Sequence, residues 1–171
     1  PVSKEYRLFG KCFDSPCQLI IHTIQPFEND IAGWSEAHNV IPVPGENDFA
    51  QSLASGAFSS AFTFNLSGLD SSLQENLLVS VGCSIYSASD FEGKLVITVE
   101  VAEKPVYWES VNLMDFIDMQ DRWETAFIKR KLPVDLPGDA VLKAYVWNTG
   151  KEPFLIDELG VKVNACSGMP K

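Results

Sequence analysis

Period-two alternation of apolar and polar residues is the feature that most constrains the fold of this chain. The pattern runs through residues 77–86, 94–101 and 141–148, and it returns at Leu159, Val161 and Val163. Such alternation places successive side chains on opposite faces of an extended strand. Each of these segments therefore predicts a β-strand with one face against a core.

The rest of the chain adds strands but no long helix. Further extended segments are predicted at residues 18–25, 57–66, 105–113, 123–132 and 154–163, and turn-forming residues separate most of them. Residues 29–56 are rich in Pro, Asn and Gly and predict a long irregular loop. Many short strands without helical periodicity predict an all-β fold, an antiparallel β-sandwich of jelly-roll type.

Length and charge limit the domain organisation and the partners. The 171 residues suit one domain, predicted at 18–166, with an N-terminal arm or linker at 1–17 and a C-terminal tail at 167–171. A net charge of −10 disfavours nucleic acid, and no apolar run is long enough for membrane insertion. Because the chain begins Pro-Val-Ser, we expect it to be a segment of a larger protein.

The four cysteines leave the disulfide pattern open. Cys83 shares the parity of apolar neighbours and predicts a small buried side chain. Cys12 and Cys17 are close enough to close a small loop, and Cys166 is alternatively placed to join the C-terminus to the N-terminal arm. Either bridge predicts an oxidising location: extracellular, cell-surface or periplasmic.

Three short motifs, in order along the chain, resemble a known family. They are Phe27-Glu28 followed by Gly33-Trp34, then Trp123 with Leu132-Pro133, and last Phe154-Leu155-Ile156-Asp157-Glu158. Together they resemble the jelly-roll carbohydrate-binding modules of families 4, 9 and 22, within the galactose-binding-domain-like class. The first loop is longer here than is usual in that family.

The resemblance implies a structural calcium held by Glu28 and Asp157. The parity of Asp157 matches that of Leu159 and Val161, so the sequence predicts a carboxylate directed at the apolar layer, where it needs a cation or several donors. Calcium takes six to eight oxygen ligands, and main-chain carbonyls of residues 47–56 are candidates for the remainder. The alternative is that Asp157 accepts backbone N–H groups in a tight corner and binds no metal.

The resemblance also implies that a polysaccharide or other glycan binds through aromatic side chains. On residues 141–148, Tyr145 and Trp147 are predicted to point away from the core, where flat rings can cover a sugar. Glu100, Thr98, Tyr86 and Ser84 have outward parity on other strands and are candidates to complete a groove. Trp34 in the first loop is a second candidate, with a hydrophobic plug as the alternative.

Catalysis is not predicted. The chain has two histidines and lacks the nucleophile, phosphate-binding and zinc motifs of common enzymes. Acid pairs for glycoside hydrolysis can be drawn from Glu100, Glu109 and Asp115, but only by choosing among 23 acidic residues. The sequence predicts a non-catalytic glycan-binding accessory domain; the alternative is a structural or interaction domain that packs its aromatics against a neighbouring domain or partner.

Overall fold

Alternating strands of the chain form two antiparallel sheets with their apolar faces together. A computed structural model describes residues 17–27, 31–43, 48–74 and 76–166. Its strands are β1 (Cys17–Gln25), β2 (Val40–Pro42), β3 (Phe49–Leu53), β4 (Phe62–Asn65), β5 (Leu77–Tyr86), β6 (Gly93–Val101), β7 (Lys104–Asn112), β8 (Trp123–Lys131), β9 (Val141–Asn148) and β10 (Phe154–Cys166). The helical elements are α1 (Ser71–Gln74) and 3₁₀ helices at Leu66–Gly68 and Leu113–Phe116. The predicted jelly-roll β-sandwich is confirmed.

The two sheets differ in size, and the connections between consecutive strands often cross from one sheet to the other. The six-stranded sheet has the order β2-β3-β10-β5-β8, and β1 also pairs with β10. The four-stranded sheet has the order β4-β9-β6-β7. Consecutive strands often lie in different sheets, so the sequence order alone does not reveal which strands share a face.

The core lies between the sheets and follows the alternation. Val79, Val81 and Ile85 of β5 and Ile97 and Val99 of β6 are fully buried. Burial of such aliphatic side chains contributes about 1.5–3 kcal/mol each relative to exposure. The period-two pattern of the sequence is therefore the pattern of the core.

The first and last strands are joined covalently. Cys17 and Cys166 form a disulfide across 149 residues of sequence, and they are opposite one another in the β1–β10 pairing. Of the two predicted alternatives, the structure therefore has the bridge that joins Cys166 to the N-terminal side of the chain. Cys12 lies outside the described residues. Cys83 is buried and unbridged as predicted, and burial raises the pKa of its thiol to about 12.

Two predicted segments differ from the structure. The long loop predicted at 29–56 contains β2 and β3, which pair with each other and extend the six-stranded sheet. The strand predicted at 57–66 is regular only at Phe62–Asn65. Polar residues interrupt the alternation in both segments. Periodicity alone therefore predicts too little strand in residues 29–56 and too much in residues 57–66.

A β-bulge in β10 changes the expected orientation of Asp157. Register shifts between Asp157 and Gly160, where Glu158 has a φ of 52°. Ile156 and Leu159 both lie in the core, whereas Asp157 is opposite Ser84 on the outer side of the sheet. The parity prediction for Asp157 is wrong, because a bulge inserts a residue and reverses the faces beyond it.

Candidate functional site

The outer face of the four-stranded sheet carries the predicted aromatic pair. In β9, Leu142, Ala144 and Val146 are buried, and Tyr145 and Trp147 point the other way as expected. Two residues of antiparallel strand span about 7 Å, which sets the spacing of the Tyr145 and Trp147 backbone positions. The neighbouring β6 contributes Lys94, Val96, Thr98 and Glu100 to the same face.

Phe58 joins this pair from the segment before β4. Its ring stacks on Trp147 with centroids 5.4 Å apart and an interplanar angle of 15°. The same ring meets Tyr145 edge-on at 5.6 Å. Phe58 is 56% exposed, so its ring is an open part of the surface rather than part of the core.

Backbone hydrogen bonds hold Phe58 in place. Ala57 O accepts from Asn148 N at 2.9 Å, and Ser59 N donates to Val146 O at 2.8 Å. The Ser59 hydroxyl also accepts from Val146 N at 2.8 Å. The segment therefore runs along β9 as an irregular extra strand, and its bridge to Trp147 puts the Phe58 ring on the outer face.

A buried polar cluster anchors the same segment from beneath. Ser60 N donates to Gln51 Oε1 at 2.9 Å, and Gln51 Nε2 donates to His38 O at 3.0 Å. The Ser60 hydroxyl donates to Ser35 O. Buried polar groups stabilise a loop when they are satisfied in this way. The first loop and the Phe58 segment are thus fixed to one another.

Trp108 of β7 supplies a fourth ring on this face. It is 45% exposed, whereas its neighbour Tyr107 packs against the core, so the two side chains point in opposite directions. Lys94 Nζ lies 5.5 Å from the Trp108 ring centroid, within cation–π range. We call Phe58, Trp108, Tyr145 and Trp147 the aromatic face.

Polar groups flank the aromatic face. Lys143 Nζ and Glu100 Oε2 form an ion pair of 2.6 Å on neighbouring strands. Thr98 is buried and donates to Tyr107 O at 3.0 Å. Asn112, the β7 neighbour of Lys94, is exposed and its side chain makes no capping hydrogen bond to the following 3₁₀ helix. Of the predicted groove residues, Glu100 and Thr98 therefore share the face with Tyr145 and Trp147.

Two adjoining cavities open at the end of this face. Their volumes are about 570 Å³ and about 400 Å³, and both are lined by Phe91, Glu92 and Thr149. Lys94 and Asn112 line the second cavity. The aromatic face is therefore continuous with a depression formed by the loops that follow β5 and β9.

Tyr86 and Ser84 lie elsewhere. They belong to β5 of the six-stranded sheet and point outward on the opposite side of the sandwich. Tyr86 contacts Trp123 there, with ring centroids 5.7 Å apart. The prediction that Tyr86 and Ser84 complete a groove with Tyr145 is wrong, because outward parity does not say which sheet a strand joins. Trp123 is half-buried on that outer side.

Trp34 packs on the core side of β4. Its ring lies 5.5 Å from that of Phe62, and its Nε1 donates to the Thr23 hydroxyl at 3.0 Å. The ring does not share a face with Tyr145 and Trp147, because its bridge partner Phe62 is buried. This arrangement favours the plug over the sugar-binding role.

The predicted calcium ligands are only partly described. Asp157 is 8% exposed, and its Oδ1 accepts from Glu158 N at 2.6 Å. Glu28 lies outside the described residues. Within the described ranges no group of three or more His, Cys, Asp or Glu side chains is placed to hold a metal. The metal-free alternative predicts that backbone N–H groups donate to Asp157, and the Glu158 N–H does so. This hydrogen bond is also compatible with a calcium ligand role for Asp157.

Sequence reasoning missed Phe58, Trp108 and Lys94 as members of one site. Neither the alternation nor the family resemblance assigns Trp108 or Phe58 to a binding face. The adjacent Gly56 and the serines at 59 and 60 are a signal that the alternation stops before Phe62. No sequence signal links Lys94 to Trp108, because that contact depends on the pairing of β6 with β7.

Comparison with known proteins identifies the fold. No protein-family model and no curated protein sequence matches the chain. The CBM35 module of Abf62 from Cellvibrio japonicus matches with a TM-score of 0.53 at 13% identity, over 86% of this chain and 99% of that one. The carbohydrate-binding module TmCBM27, studied for specific mannan recognition, matches with a TM-score of 0.50 at 12% identity, over 90% of this chain and 100% of that one.

Longer proteins are matched over a fraction of their length. The chain covers 20% of the enzymatically active domain of tailspike protein 4 of bacteriophage CBA120, with a TM-score of 0.46 at 13% identity. That similarity is too low to carry an argument. Together, the module matches show a jelly-roll fold of the carbohydrate-binding-module type. None of the helices in the described ranges has the length and apolarity to span a membrane.

Proposed function

We propose that this chain is a non-catalytic glycan-binding module whose site is the aromatic face. The observation that carries the proposal is the gathering of four aromatic rings on one side of the four-stranded sheet, two of them, Phe58 and Trp108, about half exposed. Exposed rings in such a cluster cost free energy in water unless a ligand covers them. The fold shared with carbohydrate-binding modules supports the same proposal.

Binding would combine ring stacking with hydrogen bonds to hydroxyls. Tyr145 and Trp147 would present their rings to the glycan from the same face of β9, and Asn112 offers an amide group that can both donate and accept. The Glu100–Lys143 pair adds a charged acceptor and donor beside Tyr145. Stacking of this type gives dissociation constants between micromolar and millimolar, about −8 to −4 kcal/mol.

The electrostatics of the face support binding without catalysis. Glycoside hydrolysis by the usual route needs two carboxyl groups on either side of one bond. Among the described outward positions of β4, β9, β6 and β7, the only carboxylate is Glu100, and it is ion-paired. Glu109 is opposite Ile97 on the other side of the sheet and contacts Arg130 instead.

A binding screen tests the proposal. The purified domain, with calcium present, is run by affinity electrophoresis through soluble polysaccharides and mixed with insoluble ones. We expect retardation or pull-down by at least one polymer. Absence of binding to every polymer would reject the proposal in favour of an interaction domain, for which the exposed Phe127 (55%) and Met119 (57%) near β8 are the first surface to examine.

Phe58 and Phe62 provide a matched pair of variants. Phe58→Ala should weaken polysaccharide binding several-fold while changing the free energy of unfolding by less than about 1 kcal/mol, because the ring is mostly exposed. Phe62→Ala should destabilise the fold by about 3–5 kcal/mol, because that ring is 2% exposed. Denaturant unfolding and affinity electrophoresis on both variants make the comparison. Equal losses of polysaccharide affinity in the two variants, measured under conditions where both are folded, would contradict the assignment of Phe58 to the binding site.

We also propose that calcium binds at Glu28 and Asp157 as a structural ion. The buried carboxylate of Asp157 at the bulge supports it, and so does Phe27, the residue before Glu28, which is buried just beyond the Gln25–Leu159 pair. Carboxylate oxygens are ligands that calcium accepts.

Calcium should therefore stabilise the fold. At 100 times its dissociation constant the ion adds about 2.7 kcal/mol, which corresponds to a rise of about 5–10 °C in melting temperature for a domain of this size. Asp157→Asn should remove most of this rise, whereas Asp139→Asn at an exposed turn should retain it. Thermal melts with calcium and with EDTA measure both. Identical melts of the unmodified domain in the two buffers would contradict the site.

The disulfide supports an exported location, whether extracellular, cell-surface or periplasmic. A bridge between Cys17 and Cys166 forms and persists in oxidising compartments. Attachment to neighbouring domains of a larger protein belongs to the same proposal.

A further inference from the structure

Lys94 places a positive charge inside the aromatic face. In the register of the four-stranded sheet it is opposite Trp147 on β9 and opposite Asn112 on β7. Its Nζ is held 5.5 Å from the centroid of the Trp108 ring. A sugar that covers Trp147 and Trp108 would therefore come within reach of this ammonium group.

The two lysines of this face differ in how their charge is compensated. Lys143 is neutralised by Glu100 at 2.6 Å. Lys94 forms no ion pair with any residue in the part of the chain that the structure describes. Its ammonium group instead makes a cation–π contact with the Trp108 ring. A half-buried cation that is not ion-paired gains free energy when a ligand supplies an anion in direct contact with it.

We infer that the aromatic face binds an acidic glycan, with Lys94 contacting an anionic substituent such as a uronate carboxylate or an ester sulfate. This inference rests on the proposed function and specifies its ligand class. The rings would cover the apolar faces of the sugars, and Lys94 would select for charge. The anionic group lies over the Trp108 side of the face.

The acidic surroundings define where the anion can sit. Glu92 and Asp115 line the cavity that Lys94 also borders, so an anion is repelled from that cavity. The net charge of −10 is spread over the whole chain. At physiological ionic strength charges farther away than about 8 Å are largely screened, and the contact with Lys94 then decides the local preference.

Matched polymers test the inference. The domain is titrated with polygalacturonate and its methyl ester, glucuronoxylan and the same xylan after carboxyl reduction, and a sulfated galactan and its desulfated form. We expect the acidic member of at least one pair to bind about fivefold more tightly or better. The carboxylate and sulfate pairs distinguish the two sources of charge.

Variants of Lys94 assign the preference to this residue. Lys94→Met keeps the unbranched stem over Trp108 and should lower affinity for the acidic polymer about five- to tenfold, leaving the neutral partner unchanged. Lys94→Arg should retain the acidic preference. Lys104→Met removes the same charge from the first residue of β7, which is paired with Val101 about 24 Å along β6 from Lys94, and should have no effect.

Four results would overturn the inference. Equal binding of both members of every pair, or equal losses for acidic and neutral polymers in Lys94→Met, would show that Lys94 only packs against Trp108. Binding of neutral polymers alone would reject the acidic ligand and leave the proposed function standing. Binding of none of the polymers would reject both.

Discussion

Replacing Trp147 with alanine should reduce polysaccharide affinity about 30-fold or more. Trp147 is at the centre of the aromatic face, stacked on Phe58 and opposite Lys94. Central tryptophans of binding surfaces are commonly worth about 2 kcal/mol or more, and each 1.4 kcal/mol changes affinity tenfold. The substitution also removes the support of the Phe58 ring, so two stacking surfaces are lost together. Isothermal titration with a polymer that binds the unmodified domain measures the loss.

The matched control for this variant is Trp123→Ala. Trp123 is likewise a half-buried tryptophan that contacts another ring, but it lies on the opposite side of the sandwich. It should leave affinity within about twofold of the unmodified domain. Both variants should melt as folded proteins, since the core faces of β9 and β8 are untouched. Loss of binding in Trp123→Ala with retention in Trp147→Ala would reverse the assignment of the site.

Removing the disulfide should cause the largest loss of stability. Cys17→Ser with Cys166→Ser releases a crosslink across 149 residues, and the chain-entropy estimate for such a loop is about 5 kcal/mol. The loss falls first on β1, because among the described strands it pairs only with β10. Detachment of β1 would also expose Thr23, the hydrogen-bond partner of Trp34. Guanidinium unfolding of the double variant measures the change.

Redox conditions provide the control for this experiment. The double variant should unfold at the same guanidinium concentration with and without a mild reductant, whereas the unmodified domain should lose stability when reduced. Cys83 should not complicate the comparison, because burial raises its thiol pKa to about 12 and keeps it protonated and unreactive at neutral pH. A loss below about 1 kcal/mol in the double variant would show that the crosslink contributes little.

Periodicity in the sequence was sufficient to predict the fold and the orientation of three residues of the candidate site. Tyr145, Trp147 and Glu100 have outward parity on regular strands, and the structure places all three on the outer face of one sheet. Such strands obey the alternation because their opposite faces are fully buried. A change of register by one residue would reverse every side chain at a large cost in buried area.

The positions of the other predicted residues, and of Phe58, depend on features that alternation does not encode. Tyr86 has the same outward parity as Tyr145 but belongs to the other sheet, since sheet membership is decided by which strands pair. Asp157 lies at a bulge, where one additional residue reverses parity. Phe58 is in a segment held by hydrogen bonds of Ala57 and Ser59 with β9, so its exposure follows from tertiary contacts rather than from local pattern.

The four tryptophans allow the most direct test of the proposed site. The indole N–H signals of Trp34, Trp108, Trp123 and Trp147 are resolved by ¹⁵N-correlated NMR, assigned by single substitutions and followed while a binding oligosaccharide is added. Trp108 and Trp147 lie on the aromatic face, Trp34 packs on the core side, and Trp123 lies on the opposite side. We expect the Trp108 and Trp147 signals to shift and to saturate together, with Trp34 and Trp123 unchanged. Shifts confined to Trp123 or Trp34 would contradict the outer face of the four-stranded sheet as the glycan site.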